Sequence, residues 1–239
     1  MSPPRLAADW LAAPAPRAVM AALGGQARFV GGCVRNTLMG LAVSDIDLAT
    51  PLVPEEVIRR LEAAGLRAVP TGLEHGTVTA VADGHPLEIT TYRADIRTFG
   101  RHAEVRFTTD IAEDAARRDF TMNALYADAA GEVIDPLGGL PDLAARRVRF
   151  IGAPEDRIRE DYLRILRFYR FTAWYAHGEI DGAGQAACAR LADGLAGLAR
   201  ERIGAETRKL LAAPDPGPAV RAMAAAGALA ACLPGAEVG

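Results

Sequence analysis

The chain has 239 residues, of which 50% are hydrophobic and 24% are charged, a composition typical of a globular protein with a buried core. No run of about eighteen or more apolar residues occurs, which excludes a membrane-spanning helix, and the formal net charge of −3 argues against a uniformly basic surface for nucleic acid. The three cysteines (Cys33, Cys188 and Cys232) are widely spaced and odd in number, which argues against a disulfide framework or a zinc site and indicates a reducing, cytoplasmic setting.

The first half of the chain alternates between strand-like and helix-like segments. Short apolar runs predict strands, and segments with a period near 3.6 bounded by proline or glycine predict helices. The predicted strands are 27–30, 45–50, 76–84 and 85–92, the last two forming a hairpin. The predicted helices are 33–41 and 54–65. Residues 94–110 lack a clean period and predict a long polar loop.

The second half reads as helical. Residues 111–128 predict a helix, residues 132–152 a turn-rich connector, and residues 154–177 one long helix whose apolar positions recur with nearly helical spacing. Shorter helices are predicted at 185–199, 201–212 and 218–231. The expected fold class is therefore α+β, with a head containing a small mixed sheet at residues 1–150 and an all-helical region at residues 151–239.

Two aspartates one residue apart form the first candidate site. If 45–50 is a strand, Asp45 and Asp47 lie on one face because side chains alternate with period two. Like charges on one face repel unless a cation lies between them, and Mg²⁺ is commonly held by one or two carboxylates together with substrate phosphates. An exposed edge strand with solvated aspartates is the alternative for this pattern taken alone.

A glycine pair precedes the aspartates. Gly31 and Gly32 lead into a predicted helix, whose first backbone N–H groups can bind an anion, and Arg35 lies one helical turn further on with a guanidinium suited to phosphate. A plain tight turn is the alternative. Together, the turn, the arginine and the carboxylates indicate a phosphate site beside a metal site.

Five segments in order resemble the motifs of one family. They are "VGGCVRNTLMGLAVSDIDLAT" (30–50), "RRDFTMNALY" (117–126), "IDPLGGLPDL" (134–143), "REDYLRILRFYRF" (159–171) and "ERIGAETRKLL" (201–211). The chain thereby resembles the class II tRNA nucleotidyltransferases (CCA-adding enzymes) and bacterial poly(A) polymerases, within the polymerase-β-like nucleotidyltransferases. Asn36 departs from the pattern, because the family usually has aspartate after the arginine, and a local effect is expected.

The resemblance implies roles for the candidate residues. Asp45 and Asp47 are expected to be catalytic and to hold two Mg²⁺ ions for in-line nucleotidyl transfer. Glu88, on the predicted hairpin, is a candidate third carboxylate, with a surface glutamate as the alternative. In the second motif, Arg118, Asp119 and Asn123 are expected to bind the sugar and phosphates of the nucleotide.

The fourth motif suggests how the base is selected. On one helix, Asp161 and Arg164 share a face because they are three residues apart. Cytosine and adenine both present an amino donor beside a ring-nitrogen acceptor, which an aspartate and an arginine match, whereas uracil and guanine do not. A surface ion pair is the alternative. By resemblance, Arg167 and Arg170 also contact the nucleotide.

The expected function is template-independent addition of CMP and AMP to the tRNA 3′ end from CTP and ATP. A poly(A) polymerase, a CC-adding or A-adding enzyme, and an inactive nucleotide- or RNA-binding relative are the alternatives. The last would be expected to lack a metal aspartate, and both are present. The chain is short for the family, whose members usually carry further helical regions, so a fragment and a compact variant both stay open, as does the oligomeric state.

Overall fold

The computed structural model describes residues 4–99 and 102–236. The chain folds into two compact units. The first unit runs to Ile96 and includes Glu104–Arg118 and Met122–Leu140; the second contains Arg97–Ala103, Asp119–Thr121 and the chain from Pro141 onward. The predicted division at residues 150 and 151 stays a prediction.

A seven-stranded mixed sheet organises the first unit. Its strands are β1 (Arg28–Val30), β2 (Asp47–Thr50), β3 (Arg67–Gly72), β4 (Thr77–Ala82), β5 (His85–Thr91), β8 (Tyr126–Ala127) and β9 (Val133–Ile134). Their order is β3-β4-β5-β2-β1-β8-β9. The β2–β5 pair is parallel and the other pairs are antiparallel, so the small mixed sheet expected from the sequence is confirmed.

Short helices accompany this sheet. They are α1 (Asp9–Ala12), α2 (Pro14–Ala22), α3 (Gly32–Leu38), α4 (Pro54–Ala63) and α5 (Ile111–Ala116), with 3₁₀ turns at Leu73–His75 and Thr121–Asn123. α2 packs against β4, and α4 packs against β3. Buried apolar residues such as Leu61 and Ile89 form the core between these layers.

Two predictions about local structure in this region are wrong. Residues 94–110 contain a two-stranded ribbon, β6 (Arg93–Phe99) and β7 (His102–Phe107), in place of a long loop. Backbone hydrogen bonds hold the two strands of a ribbon together. Such a ribbon can therefore form without the alternating apolar pattern by which strands are predicted from a sequence. The helix predicted at 111–128 ends at Ala116, because Tyr126 and Ala127 pair with β1 in the sheet.

Helices make up most of the second unit. They are α6 (Leu140–Ala144), α7 (Pro154–Glu160), α8 (Leu163–Tyr175), α9 (Gly182–Leu191), α10 (Arg200–Leu211), α11 (Gly217–Ala225) and α12 (Ala228–Cys232), with a 3₁₀ segment at Ala192–Gly197. α8 packs against α10 and α11. The rings of Phe120, Phe150 and Phe168 pack together in its core, with centroids 4.9 Å (Phe120–Phe150) and 5.4 Å (Phe150–Phe168) apart. None of the described helices is long and apolar enough to cross a membrane.

The long helix predicted at 154–177 is broken between α7 and α8. Asp161 has extended backbone angles (φ −154°, ψ 107°), and α8 starts again at Leu163. The Asp161 Oδ1 atom accepts a hydrogen bond from the Leu163 N–H at 3.1 Å, which satisfies a backbone donor at the new helix start. The apolar period continues across the break, so it could not reveal the break.

Candidate functional site

The glycine pair forms the turn predicted between β1 and α3. Gly31 has φ 70° and ψ −115°, a conformation that favours glycine, and its N–H donates to the Leu125 carbonyl at 3.1 Å. A Cβ atom at Gly31 would lie 3.7 Å from Arg118 Nη1 and from the Asn123 carbonyl oxygen. The Gly31 N–H is therefore used inside the protein, and roles for Gly31 and Gly32 in nucleotide binding stay predictions.

Arg35 is buried beside this turn. Its Nη1 donates to Asn123 Oδ1 at 2.5 Å, while Nε and Nη2 donate to Asn36 Oδ1 at 3.0 and 2.8 Å. Asn36 Nδ2 in turn donates to the Ala42 carbonyl at 2.8 Å. Arg35, Asn36 and Asn123 thus connect α3 to two other segments, and direct contact of Arg35 or Asn123 with a nucleotide stays a prediction.

The two candidate metal ligands lie at the start of β2. The strand begins at Asp47, whereas Asp45 belongs to the preceding irregular segment, so the expectation that both are strand residues is wrong. Both residues are exposed, and Ser44 Oγ donates to Asp45 Oδ2 at 2.8 Å. Asp45 is nevertheless close enough to Asp47 for its charge to raise the pKa of Asp47.

Glu88 lies opposite Asp47 on the neighbouring parallel strand, β5. Desolvation by the surrounding protein, followed by the charges of Glu88 and Asp45, raises the pKa of Asp47, and Arg118 partly offsets this. Three carboxylates therefore create a region of negative potential. Within the described residues, no group of three or more His, Cys, Asp or Glu side chains is close enough to hold a metal ion, so Glu88 as a third ligand stays a prediction.

Arg118 is held by two residues that the sequence reasoning missed. Its Nη2 donates to Asp114 Oδ2 at 2.9 Å, and its Nε donates to the Tyr126 hydroxyl at 3.2 Å. Burial alone would lower the pKa of Arg118, but Tyr126 and Asp114 raise it. The four-residue spacing of Asp114 and Arg118 could have predicted their ion pair. No sequence pattern around Tyr126 predicted its contact with Arg118.

In the second unit, Asp119 and Arg167 form an ion pair across 48 positions of sequence. Arg167 Nε donates to Asp119 Oδ2 at 2.8 Å, and Arg167 Nη2 contacts the same oxygen. Asp119 Oδ1 accepts from the Phe120 N–H at 2.9 Å. The structure thus brings together two predicted nucleotide-binding residues, although both are engaged with protein groups.

Asp161 and Arg164 do not share a helix face, and this premise of the base-selection hypothesis is wrong. The break places Asp161 between helices, where its Oδ2 accepts from Arg202 Nη2 at 2.7 Å. Arg164 Nη1 instead donates to Glu160 Oε2 at 2.5 Å and to the Arg157 carbonyl at 3.0 Å. Each side chain therefore has a different protein partner, and their role in base selection stays a prediction.

Arg170 forms an ion pair with Glu206. No role was predicted for Glu206 from the sequence. The Nε atom donates to Glu206 Oε2 at 2.6 Å, and the guanidinium carbon lies 4.5 Å from the centroid of the Phe171 ring. Glu206 is buried, so removal of either partner would leave a charge inside the protein without its counterion. Arg202 and Glu206 both lie on α10, which therefore pairs with residues of the α7–α8 region.

Comparisons with known proteins agree with these motifs. A family model described as the poly A polymerase head domain matches residues 27–149, about half of the chain. A second, described as the probable RNA and SrmB-binding site of polymerase A, matches residues 179–238.

Named relatives point to the same family. The mitochondrial CCA tRNA nucleotidyltransferase 1 of Homo sapiens is 44% identical over 187 residues, covering 77% of this chain and 43% of that protein. The CCA-adding enzyme of Geobacillus kaustophilus is 39% identical over 214 residues, covering 89% of this chain and 52% of the relative.

A solved structure extends the similarity to the fold. The Bacillus stearothermophilus CCA-adding enzyme in complex with CTP aligns with a TM-score of 0.80 and 36% identity, covering 91% of this chain and 52% of that chain. The chain spans about half the length of the curated relatives it matches. From the matched head domain and the named relatives, the chain belongs to the family of poly(A) polymerase head domains and CCA-adding tRNA nucleotidyltransferases.

Proposed function

We propose that this chain carries the transfer site of an enzyme that adds CMP and AMP to the 3′ end of tRNA, using CTP, ATP and Mg²⁺. The observation that carries the proposal is the placement of Asp47 at the start of β2, opposite Glu88 and near Asp45. The similarity to proteins named as CCA-adding enzymes supports the choice of substrates.

The residues present fit a divalent cation. Nucleotidyltransferases of this family generally use divalent metal ions. Asp45 and Asp47 carry exposed carboxylate oxygens. Desolvation, followed by the charges of Glu88 and Asp45, raises the pKa of Asp47, and a bound cation would neutralise this negative charge. Mg²⁺ is the proposed ion because it takes oxygen ligands and accepts one or two carboxylates alongside water and phosphate oxygens. When bound, it would activate the RNA hydroxyl and neutralise charge on the triphosphate.

The protein side chains then have distinct roles. Asp45 and Asp47 hold the cation, and Arg118 supplies a fixed positive charge for phosphate. In the second unit, we assign contact with the base and sugar to Asp119, Asp161, Arg164, Arg167 and Arg170. These groups are paired with protein partners in the structure, so nucleotide binding must share or exchange those hydrogen bonds.

Poly(A) addition is the second candidate, because the matched head domain is described as that of a poly A polymerase. Addition of CC alone or A alone is also compatible with the same site. The inactive relative is disfavoured because both metal aspartates are present and accessible. A reducing, cytoplasmic location is supported by the three cysteines, which are free and buried.

The test of function uses the chain with a tRNA that lacks its 3′-terminal CCA. CTP alone should extend this tRNA by two C residues, ATP alone should add nothing, and the two together should complete CCA, as read by sequencing the products. Runs of A from ATP alone would instead identify a poly(A) polymerase. No addition with any nucleotide and Mg²⁺ would contradict the proposed activity of this chain.

Base selection should depend on Asp161 more than on its ion-pair partner. Asp161→Ala removes an acceptor for the amino group of C or A, and discrimination against UTP and GTP should fall by roughly tenfold to a hundredfold. Arg202→Ala is the matched control, since it breaks the same ion pair but leaves the acceptor in place. Misincorporation of each nucleotide measures the effect. Equal effects of the two variants would assign Asp161 a structural role only.

A further inference from the structure

Asp114 is a buried carboxylate at the centre of a hydrogen-bond cluster in the first unit. Only 1% of its surface is exposed, and it accepts from Arg117 Nε at 2.9 Å, Arg118 Nη2 at 2.9 Å and the Tyr126 hydroxyl at 2.7 Å. Burial alone would raise the pKa of Asp114, but Arg118, Arg117 and the Tyr126 hydrogen bond lower it to about 2. Asp114 is therefore a fixed negative charge at neutral pH.

The same cluster fixes the orientation of the Arg118 guanidinium through hydrogen bonds along one of its edges. Nη2 is bound by Asp114 and Nε by Tyr126, while the guanidinium carbon lies 5.3 Å from the centroid of the Tyr126 ring. Tyr126 is fully buried in β8, so its hydroxyl position is set by the sheet. Because an arginine fork is planar, fixing two nitrogens also fixes the third.

The third nitrogen is directed at the glycine turn. Nη1 lies 3.7 Å from the position of a Cβ atom at Gly31, and it makes no hydrogen bond to the part of the chain that the structure describes. The free edge of the guanidinium thus faces the glycine turn.

We propose that Asp114 and Tyr126 are positioning residues that hold Arg118 so that Nη1 donates to an oxygen of the nucleotide triphosphate near Gly31. The inference rests on the proposed function. A guanidinium ordered before binding loses little conformational freedom when the phosphate arrives, which favours tight binding. Phosphate is common to CTP and ATP, so the contribution is the same for both nucleotides.

The decisive measurement is binding of ATP, CTP and inorganic pyrophosphate to the folded chain by calorimetry. Tyr126→Phe keeps the ring and removes the hydroxyl, and it should weaken all three affinities by roughly threefold to tenfold. Asp114→Asn should weaken them by roughly tenfold or more, since a hydrogen bond to a charged partner is lost. In steady-state assays, KM for CTP and ATP should rise by equal factors, with a smaller change in kcat.

A double variant separates positioning from scaffolding. Arg118→Lys removes the planar fork, so adding Tyr126→Phe to it should cause no further loss of pyrophosphate affinity. Glu113→Gln is the control on the same helix, because its ion pair with Arg106 is exposed, and it should bind like wild type. Unchanged affinity in Tyr126→Phe, or equal losses with and without Arg118, would overturn the proposal.

Binding also distinguishes failure of this inference from failure of the proposed function. A wild-type chain that binds pyrophosphate but extends no RNA would contradict the proposed function, while the affinities of the variants still decide the role of Asp114 and Tyr126. A wild-type chain that binds neither ATP nor pyrophosphate would overturn the positioning role. If Asp114→Asn does not fold, Tyr126→Phe alone decides the question, since it removes one oxygen atom.

Discussion

Asp47→Asn should abolish nucleotide addition, lowering kcat by on the order of a thousandfold or more, because stabilisation of charge by a bound metal accounts for several kcal/mol of the barrier. The same substitution should leave the folded state as stable as wild type, or more stable. Desolvation and the charges of Glu88 and Asp45 disfavour the ionised form of Asp47 in the folded protein. The neutral side-chain amide of asparagine removes the repulsion from Glu88 and Asp45. Such a gain in stability is expected where residues are selected for function and reduce the stability of the folded state.

Thermal unfolding with and without Mg²⁺ tests the metal directly. Mg²⁺ should raise the melting temperature of the wild-type chain, because a ligand that binds only the folded state stabilises it, and it should have little effect on Asp47→Asn. Asp193→Asn is a suitable control, since Asp193 is an exposed residue of the 3₁₀ segment Ala192–Gly197 in the second unit and has no assigned role. Retained transfer by folded Asp47→Asn would refute the role of Asp47, and an equal Mg²⁺ shift in both proteins would place the ion elsewhere.

Gly194→Ala should destabilise the second unit, by about 1–3 kcal/mol, because it inserts a methyl group into filled space. A Cβ atom at Gly194 would stand 2.0 Å from two ring atoms of Tyr162, far closer than packed atoms approach. Tyr162 lies at the break between α7 and α8, between Asp161 and Leu163. Moving its ring should therefore also displace the carboxylate of the neighbouring Asp161, and the loss of this acceptor from its position should reduce nucleotide selectivity.

A double-mutant cycle tests whether the clash with the Tyr162 ring causes the loss of stability in Gly194→Ala. In the Tyr162→Ala background the ring is absent, so Gly194→Ala should cost far less than in the wild type, with a coupling energy of about 1–3 kcal/mol. Gly197→Ala lies in the same 3₁₀ segment, and its Cβ would meet nothing within 4 Å, so it should be close to neutral. Urea unfolding of the four proteins and the control measures these differences. Additive effects of Gly194→Ala and Tyr162→Ala would show that the ring is not the obstacle.

The sequence by itself determined the family, the fold class and the identity of the candidate ligands. Strands β4 and β5 were predictable because each has one buried face and the hairpin between them is centred on a glycine, which leaves two local patterns, period-two alternation and a turn residue. The turn at Gly31 was predictable for a similar reason, since its positive φ favours glycine. The candidate metal ligands Asp45 and Asp47 could be recognised from their own spacing and from the motifs around them.

Only the tertiary structure decided which of these side chains meet. Asp119 pairs with Arg167, Asp161 with Arg202 and Arg170 with Glu206 across 48, 41 and 36 positions of sequence, and no local period encodes such partners. Local periodicity also favoured a continuous helix through Asp161, because the apolar face persists on both sides of the break. Local sequence also failed to predict the position of Tyr126, because the surrounding residues are compatible with a helix. Pairing with β1 instead places Tyr126 in the sheet, where its hydroxyl accepts a hydrogen bond from Arg118. Helical and strand periods report neighbours a few residues away, whereas ion pairs, packing and strand pairing depend on residues that only the folded chain brings together.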